Sequence, residues 1–127
     1  MSVQVIDREL DRLEGLWDEG LAEAYRSYLD AAAAYQTAAQ QKVALAAALV
    51  ETGVRLQGLG GRAAPPATLL MGDLCLARSS RLLADAAPQE LQIAFASAIE
   101  LMSAAAAASQ DPPSARALLL RAFEAGR

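Results

Sequence analysis

Apolar residues recur along most of the chain at three- and four-residue intervals, the spacing that gathers side chains on one face of an α-helix. Ile6, Leu10, Leu13 and Trp17 form the first such series and predict a helix over Asp7 to Trp17. Beyond Gly20, Leu21, Ala24, Tyr25, Tyr28 and Leu29 mark a second segment that runs to about Tyr35. All three tyrosines of the chain lie in it, and their hydroxyls are expected at the surface with the rings packed beneath.

Thr37 to Gln57 predicts the next helix. Val43, Ala47, Val50 and Val54 fall within about 60° of one another on a helical wheel, and Leu45, Leu49, Thr52 and Leu56 make a second stripe almost opposite. Two opposed apolar stripes suit a helix sandwiched between layers, so this is the expected central helix. Gly58-Leu59-Gly60-Gly61 supplies a left-handed C-cap, and Arg62 to Pro66 makes a short connection.

The stretch Ala67 to Ala87, ATLLMGDLCLARSSRLLADAA, predicts about five helical turns. Asp73, Arg78, Arg81 and Asp85 share an arc of about 140°, and Leu70 and Leu74 stand in that same arc. A surface helix has no need of leucines among its charges, so this helix is expected to be covered on nearly every side. Pro88 opens the following helix, Gln89 to Ala108, with Leu91, Phe95, Ala98, Ile99 and Met102 on its apolar side and an end that is nearly all alanine. Asp111-Pro112-Pro113 breaks the chain again. Ser114 to Ala125 is a last short amphipathic helix with Leu118, Leu119, Leu120 and Phe123. Neither strand alternation nor a repeat of fixed period is present. The fold class expected is all-α, a single-domain antiparallel bundle of five to six helices over residues 1 to 127.

Composition supports this. Hydrophobic residues make up 54% of the 127 residues and charged residues 20%. About a quarter are alanine, the residue with the best helix propensity. A net charge of −4 argues against nucleic acid, which wants a basic surface. With no histidine and a single cysteine, Cys75, zinc sites and disulfide frameworks drop out, and Cys75 reads as a small buried hydrophobe. The N-terminus, VIDRELDRLEGLWDE, lacks the basic and apolar regions of a signal peptide. Uncharged runs reach about ten residues, half a membrane span, so no transmembrane segment is expected and a cytoplasmic location is.

Little here can do chemistry. Lys42 is the one lysine, and Asp7, Asp11, Glu14 and Asp18 have the spacing of a solvated helix face. Gly58 to Gly61 lacks the lysine and hydroxyl residue of a phosphate-binding loop.

LLMGDLCLARSSRLLADAAPQELQIAFASAIELMSAA resembles the part of all-trans polyprenyl diphosphate synthases in which a Gly-Asp pair opens a long helix, commonly LLGDYLLARAFELLA. Gly72-Asp73, Leu76-Ala77-Arg78 and Leu82-Leu83-Ala84 match in register. Upstream, Ala44 to Thr52 is similar to the family's helix that ends in its first aspartate-rich motif, and the likeness covers roughly residues 38 to 108. Where DDxxD should follow, the chain has Leu56-Gln57-Gly58-Leu59-Gly60-Gly61, no second DDxxD occurs, and the basic GKRxRP motif is not found around Ala31 to Thr37. Those carboxylates hold the magnesium that neutralises the departing diphosphate, a task glutamine and leucine cannot do.

The resemblance therefore implies part of the isoprenoid synthase fold in a small non-catalytic subunit. No cofactor is expected in this chain, and magnesium only in a full-length catalytic polyprenyl diphosphate synthase partner, whose product length the subunit helps to set. In homodimeric relatives the Gly-Asp helix and the next one form the subunit interface. The expected interface is accordingly Leu70, Asp73, Leu74, Ala77, Arg78, Arg81, Asp85, Ile99 and Met102, with a homodimer when the chain is alone. Two other readings stand beside it: a helical bundle that homodimerises or binds an unrelated partner, and a helical pocket for a small molecule or lipid.

Overall fold

A computed structural model describes residues 20–57, 66–108 and 114–125. The expected helix over Asp7 to Trp17 with its acidic face, the glycine terminator at Gly58 to Gly61, and the break at Asp111 to Pro113 lie outside the described residues. Five helices follow in order: α1 (Ala22–Ala31), α2 (Thr37–Leu56), α3 (Pro66–Ala86), α4 (Gln89–Ala107) and α5 (Ala115–Ala125). No strand occurs among the described residues.

Local chemistry sets the helix ends. Gln36 is extended just before α2 begins, and the Gln40 amide reaches back to donate to the Leu29 carbonyl at 2.9 Å, which ties α2 to the end of α1. Pro88, which has no N–H to lose, precedes α4, and its carbonyl accepts from Leu91 N at 3.0 Å and Gln92 N at 3.1 Å. Ser114 precedes α5, and its Oγ accepts from Ala117 N at 3.3 Å, an N-cap contact of about 1 kcal/mol.

As the opposed stripes of α2 predict, that helix is buried almost all round: Val43, Ala44, Ala46, Ala47, Ala48, Leu49, Val50, Thr52, Gly53 and Val54 all lie in the interior. It packs on α1 and, most extensively, on α3. Two glycines set the α2–α3 crossing. A Cβ added to Gly53 would lie 3.0 Å from the Gly72 carbonyl oxygen, 3.1 Å from Leu76 Cγ and 3.2 Å from Cys75 Cβ. One added to Gly72 would lie 2.6 Å from Gln57 Cγ and 3.0 Å from the Gly53 carbonyl oxygen. Each backbone thus rests where the other's side chain would be.

The buried residues form one apolar cluster that spans all five helices. Its aromatic centre is Phe123, whose ring meets Phe95 edge-on at 5.4 Å and Tyr28 at 6.1 Å. α4 packs chiefly on α5, which in turn touches α1 and α2, so α4 joins the bundle largely through α5.

One expectation is corrected. Tyr28 is fully buried and its hydroxyl donates to Glu51 Oε1 at 2.8 Å, so that hydroxyl is not at the surface. The Tyr35 hydroxyl is buried too. For Tyr28 a carboxylate supplies what water was expected to supply. Among the described residues, α3 is packed along one side, through Gly72, Cys75, Ser79 and Leu83, and they do not supply the cover expected on its other side. Its leucines outnumber the places its neighbours offer.

At the start of α1, Gly20 has φ +125°, a value side chains rarely adopt, and a Cβ there would stand 3.0 Å from an Arg55 guanidinium nitrogen. Because a right-handed helix needs φ near −63°, Gly20 bends the chain as it enters α1 beside the C-terminal end of α2.

Candidate functional site

The outer side of α3 carries seven of the nine residues expected at an interface. Leu70, Asp73, Ala77, Arg81 and Asp85 are exposed, at the three- and four-residue steps that keep them on one helical face. Leu70 is the most exposed of the large hydrophobic residues described, at 64%. Leu74 and Arg78 are half-buried on the shoulders of this face. The two α4 residues are placed differently. Ile99 is half-buried against the core, and Met102, 1% exposed, lies inside the core beside Phe95 in sequence register, so it presents nothing to a partner in this fold. α3 and α4 share little packing, which separates these two from the α3 face.

Several of the charged groups are already engaged within the chain. Asp73 accepts from the Gln57 side-chain amide, and Asp85 pairs with Lys42 at 3.6 Å with both side chains well exposed. An exposed pair of that kind contributes little, typically below about 1 kcal/mol. Beside these charges α3 also presents apolar surface. Leu69 and Leu70 are exposed at its first turn, where Leu56, Ala67, Thr68, Leu70 and Met71 line an open depression of about 320 Å³.

Cys75, on the opposite side of α3, behaves as expected from its apolar surroundings. It is fully buried, and burial pushes its thiol up to about 11, which removes the thiolate on which reactivity depends.

The densest polar cluster escaped sequence reasoning. Arg116 of α5 sits between two carboxylates: its Nη1 and Nη2 donate to Glu23 Oε1 and Oε2 at 2.9 and 2.7 Å, and its Nε and Nη2 donate to Glu51 Oε1 and Oε2 at 2.9 and 3.0 Å. Glu51 Oε1 also accepts from Tyr28, over whose ring the guanidinium lies at 6.0 Å. The bidentate fork joins α1, α2 and α5. A signal was available: Glu51 is the one charge in the otherwise uncharged run VALAAALVETGV, a position that demands a partner.

Hydrogen bonds from Arg116 and then Ser27 hold the Glu23 carboxyl below its usual 4.5. Bonds to Glu23 and Glu51 raise the Arg116 guanidinium further, and burial followed by the Glu51 charge raises the Tyr28 phenol. Since Glu23 has a lower pKa folded than unfolded, its pairing stabilises the fold above about pH 4.5 and is lost as pH falls through the folded value. Arg116→Met is expected to cost about 1 kcal/mol at neutral pH through the loss of its Glu51 bonds, a figure kept small because both side chains retain access to water. The variant is also expected to flatten the acid limb of stability against pH. Urea titrations at pH 7 and pH 4 measure both effects.

Four guanidinium bonds, with those from Tyr28 and Ser27, are all made within the chain, so the cluster acts as a clamp rather than a receptor. Among the described residues no three His, Cys, Asp or Glu side chains are grouped to hold a metal ion, and no helix is long and apolar enough to cross a membrane. Compared with models of known protein families, with curated proteins and with solved structures, the chain matches none.

Proposed function

We propose that this chain is a non-catalytic helical subunit that works by docking the outer face of α3 on a protein partner, and that the partner is a catalytic all-trans polyprenyl diphosphate synthase. One observation carries the docking: α3 leaves Leu69 and Leu70 in solvent at the head of a face with Leu74 and Ala77, while its opposite side is sealed by α2. Apolar residues ringed by charges suit the centre and rim of a protein interface. The partner's identity rests on the Gly72-Asp73 register and on the missing carboxylates at Leu56 to Gly61, which leave this chain no means of holding the diphosphate's magnesium.

The test combines the chain with a catalytic synthase subunit from the same genome, an allylic diphosphate, isopentenyl diphosphate and magnesium. Long-chain product is expected to appear or lengthen only when both proteins are present, and Leu70→Asp is expected to abolish co-elution on size exclusion, because a charge buried without a partner is costly. Identical product with and without the chain rejects the reading.

A second reading has its own support. Gly72 is explained by its contact with Gly53, and Asp73 by its bond to Gln57. The pair that carries the family likeness thus has a packing role that any close-crossing helix would need. On that reading α3 docks on a second copy or on an unrelated partner, and a homodimer indifferent to the synthase is the result that favours it.

A further inference from the structure

We propose that α4 and α5 form an exchangeable hairpin, that its alternative acceptor is a second copy of this chain, and that the corner at Pro88 holds the hairpin on its own bundle. The corner is the first observation. α3 and α4 are long helices, of 21 and 19 residues, joined by Ala87 and Pro88 alone. Helical bonding enters this corner from both sides: Ala87 N donates to the Leu83 carbonyl at 2.8 Å and Gln92 N to the Pro88 carbonyl at 3.1 Å, each four residues back. Between them the ladder is broken. Pro88 has no N–H, and Leu91 N turns to the Pro88 carbonyl at 3.0 Å. The Ala87 carbonyl, which Leu91 N would take in an unbroken helix, accepts instead from the Gln92 side-chain amide at 3.0 Å.

No glycine or second proline stands between Ala84 and Leu91, and Ala84, Ala86 and Ala87 are the best of helix formers. Two groups, the Pro88 ring and the Gln92 amide, therefore favour the corner over one straight helix. A proline is disfavoured against alanine inside a helix by on the order of a hundredfold, which weights the chain toward the bent form.

The second observation is how the hairpin is seated. α4 packs chiefly on α5 and shares little packing with α3, so straightening the corner keeps the hairpin's own contact and gives up little across the hinge. The polar bonds that seat it run from α5, where Arg116 donates to Glu23 and Glu51, and Phe123 meets Tyr28 of α1. None of these contacts depends on which chain supplies α5. A hairpin swung out would carry Leu91, Phe95, Met102, Leu119 and Phe123 toward water, each at most 1% exposed in the closed chain. The seat on a second copy is the surface already built to cover them, so two chains that trade hairpins regain the clamp and the ring contact twice over. Short connections invite such exchange, and a rigid residue in the connection opposes it.

The test reads a crosslink between chains. Two copies of the full chain, both Cys75→Ala, carry Glu23→Cys in one and Arg116→Cys in the other; they are unfolded together in urea, refolded, and treated with a short thiol crosslinker. Exchange sets position 23 of one chain beside position 116 of the other. Adding Pro88→Ala to both copies is expected to raise the interchain crosslink by about tenfold or more, with unchanged far-ultraviolet circular dichroism. Gln92→Ala, which leaves Pro88 in place, is expected to raise it severalfold. In both cases the yield grows with protein concentration during refolding and survives later dilution. A folded Pro88→Ala pair that crosslinks no more than the unmodified corner overturns the proposal, as does a dimer by light scattering that lacks the crosslink. If Pro88→Ala does not fold, Gln92→Ala decides alone, and no rise there overturns it equally. Exchange uses the seat of α5 and not the outer face of α3, so this result and the synthase assay can fail independently.

Discussion

Phe123→Ala is expected to cost about 3–5 kcal/mol, the range for truncating a fully buried aromatic ring. Phe123 has no exposed surface, and its ring packs against both Phe95 of α4 and Tyr28 of α1. α5 is only 11 residues long, and beside Phe123 it buries just Leu119 and Ala122. Removing the ring therefore takes away much of its grip. Because α4 packs chiefly on α5, the loss extends to that helix as well. Against a total stability of about 5–15 kcal/mol for a domain of this size, such a change removes a large share. Guanidinium titration measures it as a fall in midpoint, and a loss under about 1 kcal/mol would show that the three-ring contact does not organise the core.

The second large effect is expected at Gly53. Leucine there drives a branched side chain into the Gly72 carbonyl, Leu76 and Cys75, all within 3.2 Å of where its Cβ must stand. Overpacking costs about 1–3 kcal/mol, and a whole isobutyl group belongs at the upper end. Replacing glycine within a helix returns about 1 kcal/mol of propensity, so the net loss for Gly53→Leu is about 2 kcal/mol. Gly53→Ala, with one carbon to place and the same propensity gain, is expected to change stability by under about 1 kcal/mol. Thermal unfolding of the two variants separates contact from propensity: equal melting temperatures would mean that α2 and α3 are not held at this distance.

The helices were legible in the sequence because alanine content, three- and four-residue apolar spacing and the punctuation at Pro88 and Ser114 all act locally. The opposed stripes of α2 also foretold its central place, since a helix with two apolar sides must be covered on both. What escaped depends on contacts between helices far apart in the chain. Arg116 looks like an ordinary polar residue on a short amphipathic helix until α5 folds back on Glu51 and Glu23. Gly53 and Gly72 were hidden for a related reason: a wheel assigns each residue a direction but gives no distance between axes. Two glycines inside otherwise good helices, each costing about 1 kcal/mol of propensity, were the available hint of a close crossing. The outer face of α3 was legible as half apolar, but what lies against it was not, because periodicity says which side is apolar and not what covers it.

The place of α5 in chain order has a consequence for how this protein is made. Tyr28 and Phe95 are both sealed in the finished bundle, yet each is synthesised before Phe123, the ring that seals them. At about 5–20 residues per second, the interval between Phe95 and Phe123 is on the order of a few seconds. Without α5 in place, Tyr28 and Phe95 lack the ring that covers them, and Glu23 and Glu51 lack their arginine. Phe123 and Arg116 ride on the same short helix, so one docking event brings the ring to the core and the guanidinium to both carboxylates.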